Sequence, residues 1–448
     1  MAESPRDTEF EPVEPGLRRL AELVSPLGGL IARTIRLPNP PGEPEMPVFS
    51  GRLGDLGELR PGIREAALWR PTRAEFDGAG SVPDPDRALH IALAESLERY
   101  ATCVYSDEQF IWATGEELGA EALDLDTCPR ASATELADPA CMVVEPDKRL
   151  PIRWVRGISL MSGLPRWVPA VMVYLHIPAL SIGERFTLPI STGCATHTSV
   201  EQALVNGLCE VIERDAIAIT WLQRLALPQL ELDTLGDEVP PALRHRDDDV
   251  RQLYFDATTD LGVPTVYCLD VAPHARKLAQ MVSCCTALDP VKAAVKVIRE
   301  SASTRIGLTA DRETPDDPQA FIRVHHGADF MSRPERREAF DFLLDSRERR
   351  PLSSLPDLAS GDPASDLRTL IASLRRAGME AYAVELTTDE AYDVDFRVVR
   401  VVVPALQPLS FAHGARFLGH PRLYEAPERM GHSAHSEAEL NPWPQPFA

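Results

Sequence analysis

The chain has 448 residues, a formal net charge of −22, and an ordinary soluble composition of 44% hydrophobic and 25% charged residues. A chain this long exceeds what one hydrophobic core serves, so two or three lobes around a shared cleft are expected. The acidic balance argues against a nucleic-acid partner, and no apolar run approaches the roughly 20 residues of a membrane span.

The start, MAESPRDTEFEPVEPGLRRL, lacks the basic-then-apolar order of a signal peptide, so a cytoplasmic location is expected. Prolines crowd residues 37–47 (LPNPPGEPEMP), which reads as a linker, so 1–75 is taken as a lead-in segment and 76–448 as the main domain. Helical patterns follow at about 84–104, 199–224, 289–306 and 364–377, and strand-like runs at 168–177, 264–270 and 397–404. The class is therefore α/β in the mixed α+β sense. No glycine-rich turn opens a helix, which excludes a dinucleotide fingerprint and a P-loop. The eight cysteines form no C-x-x-C pair and read as reduced, mostly buried thiols. Cys194, just ahead of the second helix, is the one weighed as a nucleophile, because a helix start lowers a thiol pKa. The histidines at 413, 420, 432 and 435 follow no zinc spacing.

The most informative feature is an internal echo. ALAESLERYA at 92–101 matches GLCEVIERDA at 207–216, so that Glu95, Glu98 and Arg99 correspond to Glu210, Glu213 and Arg214. Carboxylates three apart share one helical face, which runs back through Asn206 and Gln202 in the second copy. The opposite faces carry Leu89, Leu93 and Leu97, and Leu204, Leu208 and Ile212, so each helix docks on a core and shows an acidic stripe. Two such stripes facing each other repel unless cations neutralise them, and Mg²⁺ shared with nucleotide phosphates suits that chemistry. On pattern alone an E-x-x-E-R stretch is more often a solvated face with local ion pairs.

The stretch Ser191-Thr-Gly-Cys-Ala-Thr-His-Thr-Ser-Val-Glu-Gln-Ala203 leading into GLCEVIERDA resembles the signature of the YcaO family. The resemblance continues through ALDPVKAAVKVIRESASTR at 287–305, VVRVVVPALQPL at 398–409, HGARFLGHPRLYEAP at 413–427 and the terminal NPWPQPFA. It implies a YcaO-type fold with an ATP/Mg²⁺ cleft between the acidic helices. By position it assigns Glu95, Glu98, Glu210 and Glu213 to Mg²⁺. Ser25, Ser191, Thr198, Gln202, Glu210, Glu213, Arg214 and Arg305 fall to the nucleotide. Where relatives show a G-K-G turn before the first acidic helix, this chain has GAGSVPDP at 78–85, so one side of the nucleotide site is expected to lack its lysine.

A P-x-P-x-P terminus marks the azoline-forming members, which places Pro442, Pro444, Pro446 and the terminal Ala448, with Arg214, among the expected catalytic residues. The alternative for an isolated proline-rich tail is a solvated polyproline II segment or a ligand for another protein's groove. The implied activity is ATP-dependent conversion of Cys, Ser or Thr in a precursor peptide to azolines. The alternatives are a non-catalytic scaffold that docks the precursor and a thioamide-forming enzyme. The chain is expected to be too short for a fused leader-binding domain, so the implied partners are the precursor peptide and a separate ThiF/E1-like protein, with a flavin dehydrogenase and a homodimer as further expectations.

Overall fold

The computed structural model describes residues 13–40, 43, 46–54, 77–232, 235, 239, 243, 250–310 and 312–447. Among them the strands form three sheets. A small antiparallel sheet joins β1 (Ile31–Leu37), β2 (Val48–Leu53) and β3 (Gly78–Ser81). The proline stretch at 37–47 is thus the connection between the paired strands β1 and β2, and β2 pairs across the expected boundary at 75 with β3. Lead-in segment and main domain share one sheet.

The six-stranded sheet runs β4 (Phe110–Ala113), β5 (Ile152–Ser159), β13 (Tyr382–Glu385), β14 (Arg397–Val402) and β7 (Cys194–His197), with β6 (Pro165–Pro169) on the other side of β5. The third sheet runs β11 (Gln280–Thr286), β10 (Thr265–Val271), β9 (Arg251–Asp256), β8 (Gln229–Glu231) and β12 (Arg349–Pro351). The run at 168–177, read as a strand, is strand only to Pro169; Ala170–Val173 is a helical turn. Length and apolarity do not distinguish the two in a fully buried run.

Among the described residues the helices of eight or more residues are α1 (Pro85–Ala101), α2 (Val200–Leu222), α3 (Pro290–Leu308), α4 (Val324–Met331), α5 (Pro363–Arg376) and α6 (Arg422–Arg429). Three starts follow local chemistry. Asp84 and Asp289 accept backbone N–H bonds ahead of Pro85 and Pro290, and Ser199 accepts from the Gln202 N–H.

Each large sheet is covered on both faces, and alternate residues go to different cores. In β10, Tyr267 and Leu269 meet Trp221 and Phe340, whereas Val266 and Cys268 meet Val297 and Ile298 of α3. In β14, Val398 and Val402 face Trp154, Leu93 and Leu97, whereas Val399 and Val401 face α2 and α5. Helix α2 therefore serves two sheets, its first half in one core and Ile217 to Trp221 in the other.

Against the small sheet, α1 presents Ala88, Ala92 and Ser96. A Cβ at Gly78 would lie 2.3 Å from the Ser96 nitrogen, and one at Gly80 would lie 2.1 Å from the Ala88 oxygen. Only glycine permits that approach. It brings the backbone of β3 within reach of the acidic stripe.

The C-terminal region is latched to α2 by buried charge. Arg422 lies 2.7 Å from both Asp215 and Asp260, and Asp215 also accepts the Gln407 N–H at 2.8 Å. Arg422 and Asp215 are almost fully buried. Removing one member strands the other, so Arg422→Met is expected to lose about 3–5 kcal/mol in chemical denaturation. A loss below about 1 kcal/mol would show the latch to be dispensable. No helix among the described residues is long and apolar enough to cross a membrane.

Candidate active site

Helices α1 and α2 both pack against β7, and their acidic stripes carry the same local construction. On α1, Glu95 accepts the Ala79 N–H at 2.8 Å and pairs with Arg99 at 3.0 Å. On α2, Glu210 accepts the Gly193 N–H at 2.9 Å and pairs with Arg214 at 3.5 Å. In both, a carboxylate pins the backbone of a neighbouring strand or loop and an arginine one turn later faces the same space. Glu213 is held by the Thr286 N–H at 3.0 Å, with Arg214 at 3.9 Å.

The electrostatics are those of like charges forced together. Burial pushes the Glu98 carboxyl up to about 8 against the pull of Arg99, and Glu210 and Glu95 add to the rise. Burial likewise lifts Glu213 to about 7, opposed by Arg214 and Lys296. Arg99 loses solvation but is held charged by Glu95 and Glu98.

A cleft of about 310 Å³ opens beside these groups. It is lined by Arg99, Glu210, Arg214, Asp77, Ser191 and Thr192, and also by Ile322, Arg323, Val324, Leu409, Phe411, Gln445 and Phe447. The docked tail supplies the last two. The Trp221 indole N–H donates to the Trp443 carbonyl at 3.2 Å, Arg336 stacks on Trp443 at 4.8 Å, and Phe447 meets Tyr267 edge-on at 5.5 Å. At Gly327 a Cβ would lie 2.0 Å from the Gln445 oxygen, so the tail rests directly on the backbone of α4. Pro444 and Pro446 are buried and Pro442 is exposed, whereas Ala448 lies outside the described residues.

The structure thus brings together Glu95, Glu98, Glu210, Glu213, Arg214 and Ser191, and it brings the tail to the same cleft. Other expected nucleotide residues are engaged elsewhere. Arg305 is buried against Glu43 at 2.9 Å and Asp270 at 3.9 Å. Gln202 donates to Asn206 at 2.9 Å along its own helix. Thr198 lies 3.5 Å from the His197 ring nitrogen, and the Ser25 hydroxyl accepts the Leu27 N–H at 3.3 Å. Cys194 is no activated nucleophile, because burial pushes its thiol up to about 11 even with Arg400 at 3.0 Å. Arg99, matched to Arg214 in the repeated E-x-x-E-R, lines the cleft, although the family resemblance assigned only Arg214 by position. Lys296, 3.4 Å from Glu300, also faces this charge and carried no signal beyond helical spacing.

These residues fit a nucleotide with Mg²⁺. Arg99 Nε is buried without a hydrogen-bond partner beside the cleft, which suits an anionic oxygen. Among the described residues no three His, Cys, Asp or Glu side chains converge to hold a metal alone. Mg²⁺ is commonly held by one or two carboxylates, with phosphate oxygens and waters completing its shell. The carboxylates of Glu98 and Glu210 would hold the ion, and Arg99 and Arg214 the phosphates.

A pH dependence follows. Between about 4.5, the ordinary value, and about 8, the folded protein keeps on Glu98 a proton that the unfolded chain has released, so this contribution to stability is complete below that window and falls as pH rises through it. Metal-free wild type is therefore expected to lose melting temperature relative to Glu98→Gln across this window, and Mg²⁺ with a nucleotide analogue is expected to restore more at its upper end. A difference that stays flat with pH would contradict the assignment.

Residues 79–407 match the YcaO cyclodehydratase family, described as ATP- and Mg²⁺-binding. A protein of Rhizobium leguminosarum bv. trifolii, known from the tfuA 3′ region, is 28% identical over 354 residues, covering 75% of this chain and 77% of its own. Among solved structures, a heterocyclase in complex with substrate and cofactor superposes with a TM-score of 0.79 at 22% identity over 96% of this chain, which spans only 57% of that one. YcaO from Methanopyrus kandleri, bound with AMPPCP and Mg²⁺, gives 0.60 at 21% identity, covering 88% of this chain and 90% of its own. The echoed acidic helices and the extent of the match lead to one conclusion: the chain belongs to the YcaO cyclodehydratase family, whose domain binds ATP and Mg²⁺.

Proposed function

We propose that this protein converts Cys, Ser or Thr residues of a ribosomal precursor peptide to azolines by phosphorylation of the backbone amide oxygen. The observation that carries the reading is the shared cleft, in which Gln445 and Phe447 of the proline tail line the same space as Arg99, Glu210 and Arg214. In this reading the substrate's own thiol or hydroxyl attacks the preceding amide carbon, the amide oxygen takes the transferred phosphoryl group, and the C–O bond breaks as the C=N bond of the ring forms. Bound Mg²⁺·ATP supplies the phosphoryl group and counter-charge. Arg99 and Arg214 neutralise phosphate oxygens, Glu98 and Glu210 hold the cation, and the Gly193 and Thr286 N–H bonds fix the orientation of Glu210 and Glu213. No protein nucleophile is required, in keeping with the inert Cys194.

A separate ThiF/E1-like protein delivers the precursor, and a flavin dehydrogenase or a second copy of the chain are further partners in this scheme. Loss of one water per ring, read by intact-mass spectrometry of precursor incubated with ATP and Mg²⁺, tests the activity. Replacement of amide oxygen by sulfur would point to the thioamide variant instead. The Ala79 N–H is held by Glu95 and the turn contributes no cation there, which favours a second reading as a precursor-docking scaffold without its own turnover. On the catalytic reading, ATP hydrolysis by the protein alone is expected to be at background and to rise at least about tenfold with leader-binding partner and precursor, as in partner-completed sites. Vigorous turnover by the isolated protein on core peptide would contradict this dependence.

A further inference from the structure

Ring closure by a thiol or hydroxyl needs a proton acceptor, and the cleft holds one side chain that phosphate and cation binding do not use. His176 lines the cleft, and among the described residues it is the single histidine that does so. Its backbone lies in the left-handed region at φ 58°. Few residues other than glycine adopt that conformation, and it persists where the surrounding structure over-determines it, at active sites above all. Here both flanks are fixed. The Leu175 N–H donates to the Thr102 carbonyl at the end of α1 at 2.9 Å, the Tyr174 ring packs against Tyr105 and Phe110 at 5.3 and 5.6 Å, and Ile177 is buried in the core shared with α1. A stiff turn therefore sets the imidazole, 6% exposed, at the cleft.

We infer that His176 is the general base of ring closure, taking the proton of the substrate's thiol or hydroxyl as that group adds to the amide carbon. The inference rests on the proposed cyclodehydration and gives one of its steps a catalytic residue. The charged groups that share the cleft with His176 cannot play this part. Arg99, Arg214 and Arg323 have no acceptor, Asp77 is paired with Arg52 at 3.2 Å, and Glu210 is held by the Gly193 N–H and Arg214. An imidazole is the side chain that exchanges a proton near neutrality. In the step, the C–S or C–O bond forms, the carbonyl π electrons move to the amide oxygen, and the S–H or O–H proton passes to the His176 ring. The amide oxygen then takes the phosphoryl group of ATP. As it departs in phosphate, the amide nitrogen forms the C=N bond and gives its proton to that phosphate, and the imidazolium returns its own proton to solvent. Such a base matters unequally to the two kinds of nucleophile, because a thiol, with a pKa of about 8.5, ionises unaided at mildly alkaline pH and an alcohol does not.

Precursor peptides that differ only in a reactive Cys or Ser are followed for ring formation by mass loss, with ATP, Mg²⁺ and the leader-binding partner, in the wild type, His176→Asn and His176→Gly. Asparagine enters the left-handed region at little cost and glycine freely, so both variants keep the turn. Melting temperature and the affinity for AMPPCP with Mg²⁺ are expected to stay at wild-type values. Ring formation from Ser is expected to fall about 100-fold or more in both variants, the scale of a positioned base, and that from Cys about tenfold at about pH 7, with the Cys loss disappearing by about pH 9. Added imidazole is expected to restore the rate in His176→Gly, where the vacated space opens on the cleft, and not in His176→Asn. If the wild type closes only the Cys peptide, the recovery at the higher pH carries the same test. A Cys loss that persists at about pH 9 and that imidazole does not recover would overturn the inference. So would weaker AMPPCP binding by the variants, which would assign His176 to the nucleotide. A wild type that forms no ring from either peptide would sink the cyclodehydration reading itself, and the inference with it.

Discussion

Glu98→Gln and Glu210→Gln are each expected to lower ATP consumption at least about 100-fold while the protein stays folded, because each removes one hard oxygen charge from a site whose cation is shared by few carboxylates. The fold should persist for separate reasons. In the metal-free protein Glu98 is largely protonated at neutral pH, since burial pushes it up to about 8, so the neutral amide resembles what is already there. At 210 the amide oxygen of glutamine can still accept the Gly193 N–H that Glu210 accepts now. Phosphate release by either variant at the wild-type rate would remove these residues from the metal site. Glu213, tied to the Thr286 N–H, is a less clean target because its substitution also disturbs β11.

The second large effect concerns the tail. Deleting 442–448 is expected to leave ATP binding and partner binding in place while ring formation falls by about 100-fold or more. A proline-stiffened segment holds its groups at the cleft at little entropic cost, and misplacing positioning groups costs on that scale. The tail's docking makes this specific. Trp443 is held by Trp221 and Arg336, Gln445 rests on Gly327, and Phe447 packs on Tyr267. Deletion also exposes Tyr267, so a one-residue extension beyond Ala448 is the gentler probe. If the tail only recruited a partner, saturating partner would restore the rate of the truncated enzyme, and that rescue would return the segment to a docking role.

Much of the site was legible in the sequence because it is local. Glu95, Glu98 and Arg99 fall on one face by helical periodicity alone, and the echo at Glu210, Glu213 and Arg214 made the pair conspicuous. The apolar partners Leu93, Leu97, Leu208 and Ile212 are buried as the same periodicity requires. What was not legible is long-range. Nothing in the pattern says that Gln445 meets Gly327, or that Asp77 and Arg323 line the cleft with Glu210. Arg305 was grouped with the nucleotide by position, yet its guanidinium is taken by Glu43, a residue inside the proline stretch read as a linker. Residues 37–47 looked like a spacer because proline reports only on local conformation. That stretch connects two strands of one sheet and delivers the carboxylate that buries Arg305.

The central claim is that the amide oxygen of the substrate leaves as phosphate, and the fate of that oxygen tests it most directly. A precursor peptide with heavy oxygen at the amide carbonyl preceding the reactive Cys, Ser or Thr is incubated with the enzyme, its partner, ATP and Mg²⁺, and the released phosphate and the peptide are examined by mass spectrometry. The account predicts one heavy oxygen in phosphate for each ring formed, with none left at that carbon. Ring formation with unlabelled phosphate, or hydrolysis of ATP while the label stays in an unchanged peptide, would contradict it.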